Sequence, residues 1–94
     1  MERTLARETS QKIGQEVLLK GWVNVKRDHG KLVFVDLRDR TGLVQVVFAG
    51  MEEARQLRPE WVIAIKGIVK KRPENLINPK LATGNVEIEV KEFQ

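Results

Sequence analysis

The sequence predicts an all-β domain, a small Greek-key barrel of five strands with a short helix between the third and fourth. Three observations predict it. Apolar and polar residues alternate with period two through most of the chain, as they do on half-buried strands. Turn chemistry at Asp28-His-Gly-Lys31 and Asp39-Arg-Thr-Gly42 interrupts the alternation at hairpin spacing. One run, Met51 to Leu57, abandons the period and consists of good helix formers.

The elements follow in order. A chain of 94 residues has room for one hydrophobic core, so a single domain over 1–94 is expected, with 1–13 as an N-terminal segment. Leu5 to Ile13 is expected to hold a helical turn or two. A first strand runs from Glu16 to Arg27, with Gly21 inside it. An interior glycine marks a bulge or bend, which lets one long strand serve both sides of a small barrel. The second strand spans Leu32 to Arg38 and the third Leu43 to Phe48, making a meander of two hairpins. After the helical run, Arg58-Pro-Glu60 stops the helix, because the residue before proline disfavours helical dihedrals. A fourth strand runs from Trp61 to Lys71. A long loop, Arg72 to Gly84, carries two prolines and leads to a last strand from Val86 to Phe93. Five strands in this order, with the helix after the third, describe an OB-fold.

Composition narrows the function. Hydrophobic residues are 41% and charged residues 32%, an ordinary globular balance. The 17 Lys and Arg against 13 Asp and Glu give a formal charge of +4, which suits a polyanionic partner. Cysteine is absent, which removes disulfides, thiol nucleophiles and thiolate metal sites. The apolar run Trp61-Val-Ile-Ala-Ile65 is far too short to cross a bilayer. Met1-Glu-Arg-Thr-Leu5 lacks the apolar stretch of a signal peptide, so a cytoplasmic protein without membrane contact is expected. Enzyme chemistry is poorly supported: the single histidine, His29, sits in turn context, and no metalloprotease, nucleophile-elbow or phosphate-loop motif is present. No catalytic residue, metal or cofactor is expected.

Strand parity separates core from surface. Val33, Val35 and Leu37 read as core, leaving Leu32, Phe34, Asp36 and Arg38 outward. Val44, Val46 and Phe48 read as core, leaving Leu43, Gln45 and Val47 outward. Phe34 and Gln45 then share one outer surface. A phenylalanine there is a stacking platform for a base, or else packs under the N-terminal segment or a partner domain. Gln45 offers both a donor and an acceptor. On the last strand Val86, Ile88 and Val90 point in while Glu87 and Glu89 point out, where a carboxylate accepts from a cytosine amino group or pairs with a lysine. In the first strand Val17, Leu19, Val23 and Val25 read as inward and Trp22 as outward, unless a bulge at Gly21 switches register. Trp22 and Trp61 read as core or barrel-end residues. Lys26, Arg27, Lys31 and Arg38 are expected around the first hairpin, and Lys70, Lys71 and Arg72 at the mouth of the long loop, as a rim for phosphates.

The residues also carry a resemblance. Gly21-Trp-Val-Asn24, Arg27-Asp28, Phe34-Val-Asp-Leu-Arg-Asp-Arg40 and Gly42-Leu-Val-Gln-Val46 closely resemble the N-terminal anticodon-binding domain of aspartyl-tRNA synthetases. Asn78-Pro-Lys-Leu-Ala-Thr-Gly84 followed by Val86-Glu-Ile-Glu89 is similar to the bacterial branch. The resemblance covers the chain from about Ile13 onward. It implies an OB-fold that binds the aspartate-type tRNA anticodon stem-loop. Phe34 would stack on the central uridine and Gln45 would read its edge. Arg27 and Glu87 would engage the third base, a cytosine. Arg72 and the loop after it would meet the first base, with Asn75 or Asn78 as the asparagine the family places there. Lys26 and Asn24 complete the implied RNA-binding set. The sequence departs from the family in carrying Val25-Lys26-Arg27 for three arginines, His29 for a leucine, and a shorter stretch between Phe48 and Trp61. The large catalytic domain of a class II synthetase is absent, so no aminoacylation is expected. A full synthetase would be a homodimer, and this domain alone a monomer. Two other readings stand beside it: a sequence-tolerant single-strand binder and a protein-interaction scaffold on the same barrel face.

Overall fold

The computed structural model describes residues 2–94. Five strands close into a barrel in the order β1-β2-β3-β5-β4, where β1 is Glu16–His29, β2 Leu32–Asp39, β3 Gly42–Ala49, β4 Val62–Lys71 and β5 Val86–Phe93. The segment Ala6–Gln11 forms a 3-10 helix ahead of β1, and Thr4 N–H reaches the Leu18 carbonyl at 2.8 Å.

The barrel closes because β1 has two partners. Its first half, Glu16 to Trp22, pairs with β4, and its second half, Trp22 to His29, pairs with β2. Gly21 sits at the changeover, where a Cβ would lie 2.3 Å from the Arg38 carbonyl oxygen. Only a residue without a side chain permits that approach. The β1–β2 hairpin turns on Gly30 and Lys31, with φ +63° at Gly30, the first turn position. A positive φ there matches the mirror-image turn that fits strand twist.

Inward residues fill the barrel. Val17, Leu19 and Val23 meet Val33, Val35 and Leu37, then Val44, Val46 and Phe48, with Ile63, Ile65, Val86 and Ile88 completing the packing. Phe48 is fully buried and stands edge-on to Phe93, ring centroids 4.9 Å apart.

Several expectations change in the structure. The bulge lies between Val23 and Val25, at Asn24 rather than Gly21, so Val25 faces outward opposite Asp36 and is 40% exposed. The β1 strand continues through Asp28 to His29, narrowing the first turn. The short helix expected between β3 and β4 is present, as the 3-10 helix Glu52–Gln56. It still delivers Ala54 and Leu57 to the core. Trp61 is 48% exposed just ahead of β4, which fits the barrel-end alternative and not the core one. Arg38 lies opposite Leu43 beside the β2–β3 turn, away from the first hairpin. The loop from Arg72 to Gly84 contains a short 3-10 helix, Glu74–Leu76.

Candidate nucleic-acid interface

The outer surface of β2 and β3 is set by register. Phe34 lies opposite Val47, and Asp36 lies opposite Gln45. Both pairs belong to the outward parity, so Phe34 and Gln45 are diagonal neighbours on one face. Phe34 is half-buried, and the His29 ring meets it edge-on with centroids 5.5 Å apart.

Arg27 joins this face because of the bulge. Val23 points into the barrel, and strict alternation would carry Arg27 inward too. The extra residue at Asn24 resets the parity, so Arg27 pairs with Phe34 on the outside. There its guanidinium donates from Nη1 and Nη2 to the two Asp36 carboxylate oxygens, each at 3.2 Å. Nη2 also donates to Gln45 Oε1 at 3.2 Å, and Gln45 Nε2 donates to Glu87 Oε1 at 3.3 Å. One polar chain therefore crosses β2, β1, β3 and β5. All of its hydrogen bonds are long, which leaves them open to exchange with an incoming base edge.

Arg72 is buried and holds the β4–β5 loop. Its Nε donates to the Val86 carbonyl at 2.9 Å and Nη1 to the Leu76 carbonyl at 3.3 Å. The exposed Leu76 is thereby fixed beside the others. Together Arg27, His29, Leu32, Phe34, Gln45, Arg72, Leu76 and Glu87 line one open groove of about 470 Å³. It offers an aromatic face, donors from arginine and amide, and acceptors from carboxylate, the set needed to stack a base and read its edge.

The groove thus gathers five of the residues named from sequence: Arg27, Phe34, Gln45, Arg72 and Glu87. The others lie elsewhere. Asn24 is the bulge residue. Lys26 points to the opposite side of β1, donating to the Arg55 carbonyl and standing 3.5 Å from Asp28, beside Trp61 and Arg58. Asn75 is exposed on the loop. Asn78 organises that loop: its side-chain oxygen accepts from Lys80 N–H at 3.0 Å, and its own N–H donates to the Gly84 carbonyl at 3.1 Å. Sequence reasoning did not place His29, Leu32 and Leu76 in the groove. The first two follow from the extended hairpin, whereas Leu76 depends on a loop conformation that periodicity does not describe.

Among the described residues, no cluster of three His, Asp or Glu side chains is arranged to hold a metal ion, and no helix is long and apolar enough to cross a membrane.

Comparisons with known proteins agree on one kind of domain. A family described as an OB-fold nucleic acid binding domain of the tRNA anticodon type matches residues 17–94. The chain is 50% identical over 99 aligned residues to the aspartate–tRNA(Asp/Asn) ligase of Thermodesulfovibrio yellowstonii, covering 99% of this chain and 17% of that protein. The asparaginyl-tRNA synthetase of Pyrococcus horikoshii is similar in structure, with a TM-score of 0.81 and 31% identity over all of this chain and 22% of that one. An OBody bound to hen egg-white lysozyme has the same TM-score at 26% identity, over 99% of this chain and 92% of that one. The chain spans about a sixth of the length of the curated relatives it matches.

Proposed function

The chain belongs to the family of OB-fold anticodon-binding domains found in aspartyl- and asparaginyl-tRNA synthetases, and from that premise we propose that its groove reads an aspartate-type anticodon. The ligase activity named for the relatives belongs to proteins about six times as long, and in this reading the chain contributes binding without catalysis.

One observation carries the reading. A half-buried Phe34 ring lines one groove together with Arg27, Gln45 and Glu87, which form a single hydrogen-bonded chain. In the proposed complex the central uridine stacks on Phe34 and exchanges hydrogen bonds with Gln45. Arg27 and Glu87 take the third base. A cytosine presents an amino donor to the Glu87 carboxylate, whereas a uracil presents a carbonyl oxygen that the carboxylate repels. Arg72 and its loop close the groove over the first base. Asn24, Asn75 and Asn78 lie outside the groove, which leaves them contacts to the RNA backbone, whereas Lys26 is engaged on the other side of β1 by the Arg55 carbonyl and Asp28.

The test is binding of fluorescently labelled anticodon stem-loops to the 94-residue chain, read by anisotropy. Affinity near the micromolar range is expected, since one small interface acts alone. Phe34→Ala and Gln45→Ala weaken binding while circular dichroism stays unchanged. Glu87→Gln narrows the preference for cytosine over uracil at the third position. If neither Phe34→Ala nor Gln45→Ala changes affinity, the assignment is wrong. Equal affinity for scrambled loops would instead favour a sequence-tolerant binder. The likeness to an OBody bound to lysozyme favours a second reading, a protein-docking surface on the same barrel, which predicts no RNA retention at low salt.

A further inference from the structure

The face that carries Phe34 does not end at the groove. It continues along β2 through Asp36 to Arg38, and along β3 from Gln45 back to Leu43, which is paired with Arg38. Arg38 is four residue steps along the strand from Phe34, about 13 Å. At that far end a second cleft of about 260 Å³ opens between the β2–β3 turn and the β4–β5 loop.

Three cations meet at this cleft, each from a different segment: Arg7, Arg38 and Lys80. Two of those segments are pinned independently. The start of the 3-10 helix Ala6–Gln11 is clipped to the β2–β3 turn, with Ala6 N–H donating to Asp39 Oδ2 at 2.8 Å and Arg7 N–H to Thr41 Oγ1 at 3.1 Å. The loop bearing Lys80 is clipped by the Thr83 hydroxyl, which donates to the Leu43 carbonyl at 2.5 Å. Lys26, Arg27, Lys66, Lys70 and Lys91, by comparison, each have a carboxylate partner, and what sets the cleft apart from other unpaired cations is that three of them line one concavity. Among the described residues Arg7, Arg38 and Lys80 form no ion pair, and no carboxylate lines the cleft. Asp39, which follows Arg38 in the chain, is occupied by Ala6 and by the N–H and hydroxyl of Thr41. Like charges held together without a counter-charge repel, and a bound anion reverses the sign.

We infer that this second cleft binds a backbone phosphate of the same RNA, one or a few nucleotides from the bases read at Phe34. The inference rests on the RNA-reading groove. It divides the work along one face: the groove recognises bases, and the Arg7–Arg38–Lys80 cleft fixes the path of the strand regardless of sequence.

The test measures stem-loop affinity against salt concentration for wild type, Arg38→Ala, Lys80→Ala and the control Lys66→Ala, which removes a β4 cation paired with Glu92 of β5. Each cleft variant is expected to lower the slope of log affinity against log salt by about 1 and to weaken all anticodon variants equally. Lys66→Ala keeps the wild-type slope. Neutral methylphosphonate linkages walked along the loop should find one position that weakens wild type but not the doubly substituted Arg38→Ala, Lys80→Ala protein. Cleft variants with an unchanged slope overturn the inference, as does an equal fall in Lys66→Ala, which would mean net charge alone. Loss of base preference in Phe34→Ala with intact cleft slopes separates the two sites. A wild type that fails to bind RNA at low salt removes both proposals.

Discussion

Arg27 sets the orientation of the Gln45 amide: Nη2 of Arg27 donates to Oε1 at 3.2 Å, which turns the amide nitrogen toward Glu87 at 3.3 Å. Arg27 is itself held in a two-pronged pair with Asp36, so the orientation is inherited from β2 through β1 to β3. The amide cannot turn over without breaking both contacts.

The pair should therefore act as a unit toward RNA. Arg27→Ala and Gln45→Ala are each expected to weaken stem-loop binding. The double variant should lose less than the sum, with a coupling of about 0.5–3 kcal/mol. A double-mutant cycle by anisotropy checks it, and strict additivity would show that Gln45 works without Arg27.

Phe34 and Phe48 present the same side chain in opposite roles. Phe48 is fully buried against Phe93, so Phe48→Ala is expected to cost about 3–5 kcal/mol of stability. Phe34→Ala should leave the denaturation midpoint nearly unchanged while reducing RNA affinity by about 5- to 150-fold, the equivalent of one base stack. Guanidinium titrations alongside binding curves separate the two.

Gly21→Ala tests the strand changeover. Its Cβ would collide with the Arg38 carbonyl, a backbone atom with no room to move, whereas Gly14 has open space and only a φ of +87° to accommodate. The first substitution should cost about 1–3 kcal/mol or more, the second about 1–2. Equal midpoints would mean that β1 does not depend on this approach.

Asp39 predicts an acid limit. Burial pushes its carboxyl up, but the Thr41 hydroxyl and the N–H groups of Ala6 and Thr41 outweigh that, with Arg3 nearby, and hold it below the ordinary value. A folded value below the unfolded one means that the stabilisation is complete above about pH 4 and is lost as pH falls through the folded value. Asp39→Asn should flatten the fall of stability below about pH 4. Urea titrations from neutral to acid pH measure it, and an unchanged acid slope would assign the loss to other carboxylates.

Much of this site is legible in the chain. Alternation and two short turns are enough to put Phe34 and Gln45 on a shared surface, because hairpin register follows from turn length. The inward sets of β2, β3 and β5 follow for the same reason. Alternation fails at Val25, where a single extra residue reverses every later facing in β1. Asn24 has no pattern of its own to announce it. Yet the same bulge brings Arg27 to the outer face. Arg72 was readable as a cation at the loop mouth, but its contacts to Val86 and Leu76 join residues whose proximity no local signal encodes. The exposure of Trp61 was hidden too, since an apolar run at a strand start looks the same whether or not its first residue is covered.

The barrel's parallel seam has a consequence of its own. Between β3 and β5 only Val46 and Val47 are paired, with Ile88 and Glu89, while the neighbouring antiparallel ladders run far longer. That seam is where the cylinder should unzip first, and its amides should be among the earliest to exchange with solvent. Gln45 and Glu87 stand on its two banks, joined by one long hydrogen bond. A nucleotide grasped by both would work as a clasp across the gap, so occupancy would slow the breathing of the wall.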